Sequence, residues 1–170
     1  RFQYWVFRYP SGWPISYSAM RLRKELAALS RIVGPQRDMV FVGHSMGGLL
    51  SRMQIINPGR TLWDTILGAD ADRVLATMPE DHIVKRSLLF QANPQIGRVV
   101  FICVPHRGSG LADMTFAGAF SRFIRLPGRI VTAITDLPEA VIQNRPLTSI
   151  AGLSPGNPLF EALEKTPIGV

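Results

Sequence analysis

Apolar residues fall into two kinds of pattern along this chain. Met20, Leu22, Leu26, Leu29 and Val33 recur at helical spacing, and Gly34-Pro35 closes the series. That predicts a helix capped by Ser16 or Ser18. Other segments are unbroken apolar runs. Met39–Gly43 and Arg98–Val104 (RVVFICV) are predicted as strands covered on both faces, because a strand with one wet face would alternate. Gln3–Tyr9 (QYWVFRY) is aromatic and β-branched and is closed off by Pro10, Gly12 and Pro14, which predicts a third strand.

The remaining elements are helical. Gly47–Ile56 is predicted as a helix stopped by Asn57-Pro58-Gly59. Weaker helical patterns cover Asp70–Ala76 and Glu80–Phe90. Leu111–Leu126 and Arg129–Gln143 are helix-like and apolar, interrupted by Pro127-Gly128 and Pro138. Asn157 and Pro158 together open a last helix over Leu159–Lys165. Strands alternating with helices, with runs rather than alternation, predict the α/β class. The sheet should be mostly parallel, of few strands, and flanked by helices.

Composition narrows the partners. The chain has 170 residues, 46% hydrophobic and 18% charged, enough for one domain with a substantial core. No apolar stretch reaches the roughly 20 residues of a membrane span, and RFQYWVFRYP lacks the pattern of a signal peptide. The net charge is +7, but the cations are scattered. Arg21–Lys24 (RLRK) is the only tight basic group and fits the solvated side of the first helix, so no nucleic-acid partner is expected. The sole cysteine, Cys103, has apolar neighbours and is expected to be a core thiol. No His, Cys or carboxylate cluster has metal-ligand spacing, and no cofactor is implied.

One stretch carries chemistry. Gly43-His44-Ser45-Met46-Gly47 is G-x-S-x-G, set after a predicted strand and before a predicted helix. A strand that turns straight into a helix holds its apex residue in strained backbone and lifts that side chain clear of the sheet edge. Cβ atoms at Gly43 and Gly47 are expected to collide with neighbouring backbone, and Gly48 to let the helix pack close to the sheet. At the helix start the Met46 N–H would face the oxygen of an attacked carbonyl. No phosphate-cradling glycine pattern is present.

VFVGHSMGGLLSR, followed by RVVFICVPHRGSGLAD, resembles the α/β-hydrolase fold. Within it the chain is similar to bacterial lipase- and esterase-like proteins, near the GPI inositol-deacylase-like and triacylglycerol lipase groups. FRYPSGWPISYSAMRLRKEL resembles the strand and helix before the nucleophile, and LTSIAGLSPGNPLFEAL a segment shortly before the strand leading to the catalytic acid. The resemblance implies Ser45 as nucleophile and Met46 as an oxyanion-hole donor. Gly43, His44, Gly47 and Gly48 would build the elbow, within residues 40–50. Pro105 and His106 would shape the pocket, residues 60–97 would form an insert, and 111–145 would form cap-like helices suited to an apolar acyl group. The substrate would be a small-molecule or lipid ester.

In such relatives the order is Ser, then Asp or Glu, then His. The acid and the histidine are therefore expected after Val170, and the other oxyanion donor before Arg1. Residues 1–170 are expected to form one incomplete domain, nearly inactive alone. His82, in PEDHIVK, is expected to be a solvated surface histidine, and Asp64, Asp70, Asp72 and Asp81 to have no catalytic part. Asp113 and Asp136 are expected to be capping or surface carboxylates. The alternatives are a non-catalytic relative serving as a binding or scaffold domain, and an acyltransferase or haloperoxidase-like use of the same elbow.

Overall fold

The structure, a computed structural model, describes residues 3–10, 12–34, 38–108 and 156–169, with positions 128, 131, 132 and 137. The element expected at 111–126, that expected at 129–143 apart from positions 131, 132 and 137, and the carboxylates Asp113 and Asp136 lie outside the described residues.

In chain order the elements are α1 (Ile15–Val33), β1 (Met39–His44), α2 (Met46–Arg52), α3 (Thr61–Leu67), a 3₁₀ turn (Gly68–Asp70), α4 (Ala71–Thr77), α5 (Ile83–Leu88), β2 (Ile96–Ile102) and α6 (Pro158–Lys165). Strands β1 and β2 pair in parallel, joined by the helical crossover that parallel strands require. This is a small α/β arrangement.

The helices begin and end for local reasons. α1 starts after Pro14, whose fixed φ already suits a helix entry. The expected caps Ser16 and Ser18 both lie inside the helix, and Ser18 is buried. α6 starts as expected: the Asn157 side chain accepts from Leu159 N (2.8 Å), with Pro158 at its first position. α2 ends at Arg52, four residues before the expected stop. Its chain tightens there into three-residue turns, Gln54 N to Ser51 O and Ile55 N to Arg52 O, both 3.0 Å. Ile56 then bridges antiparallel to Ile168.

The core gathers on one face of the sheet. Leu22 and Leu26 of α1, Leu49 and Leu50 of α2, Leu62, Trp63 and Leu67 of α3, and Phe160 and Leu163 of α6 form one cluster, with Phe41 packed against it. Gln54 is fully buried. Its amide donates to Ala19 O (3.2 Å) and Leu50 O (2.9 Å), tying α1 to α2.

The opposite face is bare among the described residues. Val40 (58%), Val42 (65%), Val100 (46%) and Ile102 (42%) are exposed, so the expected cover on both faces is found on one only. Gln3–Tyr9 also departs from expectation. It forms no ladder among the described residues, and Tyr4, Trp5 and Val6 are exposed. Only its end, Phe7 and Tyr9, packs against the core.

Candidate active site

The turn from β1 into α2 holds one of the three non-glycine residues with positive φ among the described residues. Ser45 has φ 52° and ψ −127°, a conformation that costs a non-glycine residue on the order of 1–3 kcal/mol. Three contacts hold it. Ser45 N–H donates to Ile102 O (2.9 Å), extending the β1–β2 ladder by one bond, and Gly48 N–H donates to Ser45 O (3.0 Å). The Ser51 hydroxyl donates to Gly47 O (2.9 Å), pinning the first turn of α2. Ser45 is half-buried and His44 is exposed.

Two glycines are required by space. A Cβ on Gly43 would lie 2.5 Å from Gly48 Cα and 2.8 Å from Gly48 N, and a Cβ on Gly48 would be driven into the Val104 side chain. Gly47 corrects the expectation. The atom nearest to a Cβ there is the Tyr9 Oη at 3.7 Å, an ordinary contact. The helix turns Gly47 away from the sheet, and Gly48 takes the tight position against it. Met46 is the first residue of α2, half-buried against the core.

β2 ends beside this turn. It stops at Ile102, earlier than expected, because Cys103 takes φ 48° and breaks the ladder. The same twist puts Cys103 outside, so the expected core thiol is exposed. Beyond it Pro105 O accepts from Gly108 N (3.1 Å). The His106 ring sits edge-on to Phe101, with centroids 4.8 Å apart. Its Nδ1 is buried with no hydrogen-bond partner among the described residues. Desolvation, then the nearby Arg52 guanidinium, hold His106 below the usual histidine pKa. Arg52 itself closes α2 and donates to Leu163 O (2.6 Å), while Arg107 pairs with Glu164 (3.0 Å).

The other titratable groups are placed elsewhere. His82 caps α5, its Nδ1 accepting from Val84 N (3.3 Å). Asp64 and Asp72 pair with Arg60, at 2.8 and 2.6 Å, and Asp70 pairs with Arg73. Among the described residues, no histidine or carboxylate is hydrogen-bonded to Ser45, and no group of three or more His, Cys, Asp or Glu side chains could hold a metal ion. No described helix is long and apolar enough to cross a membrane.

Two residues escaped the sequence. Tyr9, read as part of a strand, brings its hydroxyl to the first turn of α2; no pattern in the sequence signals that approach. Arg23, read as solvated, donates to Met53 O and Arg86 O (3.2 Å each) and lies 3.8 Å over the Phe90 ring. Desolvation, then Arg86, lower its pKa to about 10. No known protein family matches the chain, and no curated protein or solved structure matches it.

Proposed function

We propose that Ser45 is the nucleophile of a serine hydrolase acting on carboxylic esters, within a partial α/β-hydrolase fold. The observation that carries this is the backbone of Ser45: left-handed φ, at the apex between a parallel strand and a helix, in the sequence GHSMGG. Strain of this kind persists where the surroundings over-determine it, and it gathers at functional sites. Gly43 and Gly48 support the same reading, since each removes a Cβ that would forbid the turn.

The chemistry follows from the serine. A base takes the hydroxyl proton as Oγ bonds to the ester carbonyl carbon, and the carbonyl oxygen becomes an anion. The Met46 N–H donates to that anion, a contribution of typically about 3 kcal/mol. Collapse breaks the bond to the alcohol, which leaves with the proton. Water then releases the acid from the acyl-enzyme. Among the described residues none is hydrogen-bonded to Ser45 as that base. Pro105 and His106, on the exit from β2 next to the elbow, would shape the pocket.

The test uses the longest encoded chain that carries this sequence. A fluorophosphonate is expected to label Ser45, read by mass spectrometry of the peptide that contains it, and to stop hydrolysis of a short p-nitrophenyl ester. Ser45→Ala is expected to lose both. A second reading, a non-catalytic binding domain, is favoured by the absence of a base hydrogen-bonded to Ser45 among the described residues. It would be chosen over the first if the longest chain were neither labelled nor active. An acyltransferase would instead give ester product when an alcohol acceptor is added.

A further inference from the structure

Tyr9 brings a phenolic hydroxyl to the first turn of α2, the helix that begins at the proposed nucleophile. Its ring is fixed from two sides: it stacks on Phe7 (centroids 5.5 Å, planes 20° apart) and packs against the core. Its hydroxyl passes beyond that apolar seat to the first turn of α2. There it lies 3.7 Å from where a Cβ on Gly47 would stand, two residues along the chain from Ser45. Among the described residues no acceptor is hydrogen-bonded to the Tyr9 hydroxyl. Desolvation raises its pKa above the ordinary tyrosine value, so the phenol keeps its proton through the neutral range.

A half-buried hydroxyl with a fixed ring, a retained proton and no acceptor among the described residues is an available donor. Beside a serine that generates an oxyanion, its best acceptor is on the substrate. We propose that Tyr9 is a catalytic residue that donates its phenolic hydrogen bond to the substrate oxygen made anionic by attack of Ser45. It would join the Met46 N–H as the second donor to that oxygen. This rests on the serine-hydrolase reading of Ser45, adds a side chain that the GHSMGG motif does not contain, and puts Tyr9 in the place of the second donor that the resemblance expected from a backbone N–H before Arg1. The hydrogen bond strengthens as charge develops on the oxygen and leaves the proton on tyrosine throughout.

The experiment compares Tyr9→Phe, Ser45→Ala and the unaltered longest encoded chain with a p-nitrophenyl ester. Phe keeps the ring stack and removes only the donor. A donor used in the transition state is lost from kcat, not KM. Tyr9→Phe is therefore expected to lower kcat on the order of 100-fold, with KM within about twofold and an unchanged midpoint of thermal unfolding. If Ser45→Ala is inactive while Tyr9→Phe keeps kcat within about twofold, the role of Tyr9 is overturned and Ser45 stands. A raised KM with unchanged kcat also overturns it, in favour of ordinary substrate packing. If the unaltered chain shows no serine-dependent turnover, both proposals fall together.

Discussion

At the residue scale, the three glycines of GHSMGG differ in kind. A methyl on Gly43 would meet the Gly48 backbone, and one on Gly48 would meet Val104. Neither neighbour can yield cheaply, because one is main chain and the other is held at the end of β2. Gly43→Ala and Gly48→Ala are each expected to cost about 3 kcal/mol of stability, the upper end for overpacking, read from urea unfolding. Gly47→Ala is expected to leave stability unchanged or raise it by up to about 1 kcal/mol, since it replaces glycine within a helix. A loss at Gly47 equal to that at Gly48 would contradict the geometry. His106 gives a pH-dependent counterpart. Its folded-state pKa lies below its unfolded value, so the fold favours neutral imidazole. That contribution is complete above the ordinary histidine range and is lost as pH falls through the lowered folded value. His106→Gln is expected to flatten the acid side of a stability-against-pH curve as pH falls below the ordinary histidine range.

At the element scale, helix starts and strand cores were legible where a residue type has one physical use. Asn157 before Pro158 gave a helix start because the asparagine oxygen and the missing proline N–H both suit that position. Helix α3 lay unread within 60–97, although Leu62 with Ile66 and Trp63 with Leu67 stand four apart, the spacing of one helical face. Trp63 anchors this helix: it is fully buried, and its indole N–H donates to Ala71 O (2.9 Å), joining α3 to α4. Trp63→Phe is expected to cost about 2–4 kcal/mol, from the lost volume and an unpaired carbonyl, read as a lower unfolding midpoint. The end of β2 was misjudged because apolar residues continue to Val104, whereas pairing stops where Cys103 turns left-handed. Hydrophobicity reports burial; it does not report where a ladder ends.

At the scale of the whole molecule, the sheet is one-sided among the described residues. Parallel strands are ordinarily covered on both faces, yet Val40, Val42, Val100 and Ile102 form an apolar surface open to water. Residues 1–170 are expected to bind a hydrophobic dye such as ANS in their folded state. The double substitution Val42→Ser with Val100→Ser should reduce the fluorescence without lowering the unfolding midpoint by more than a degree or two. Equal fluorescence from the double variant would place the dye elsewhere.

The sequence by itself determined the elements whose signals are local: the amphipathic stripe of α1, the apolar runs of β1 and β2, the cap of α6, and the G-x-S-x-G turn between a strand and a helix. Each depends on the spacing or backbone preference of neighbours a few residues apart. Tertiary structure alone decided which glycines the turn needs, that Cys103 faces out, that Arg23 lies across Phe90, and that Tyr9 reaches α2 across 38 positions of chain. Those facts arise where segments distant in sequence are pressed together, and the space left between two packed surfaces is a property of neither segment alone.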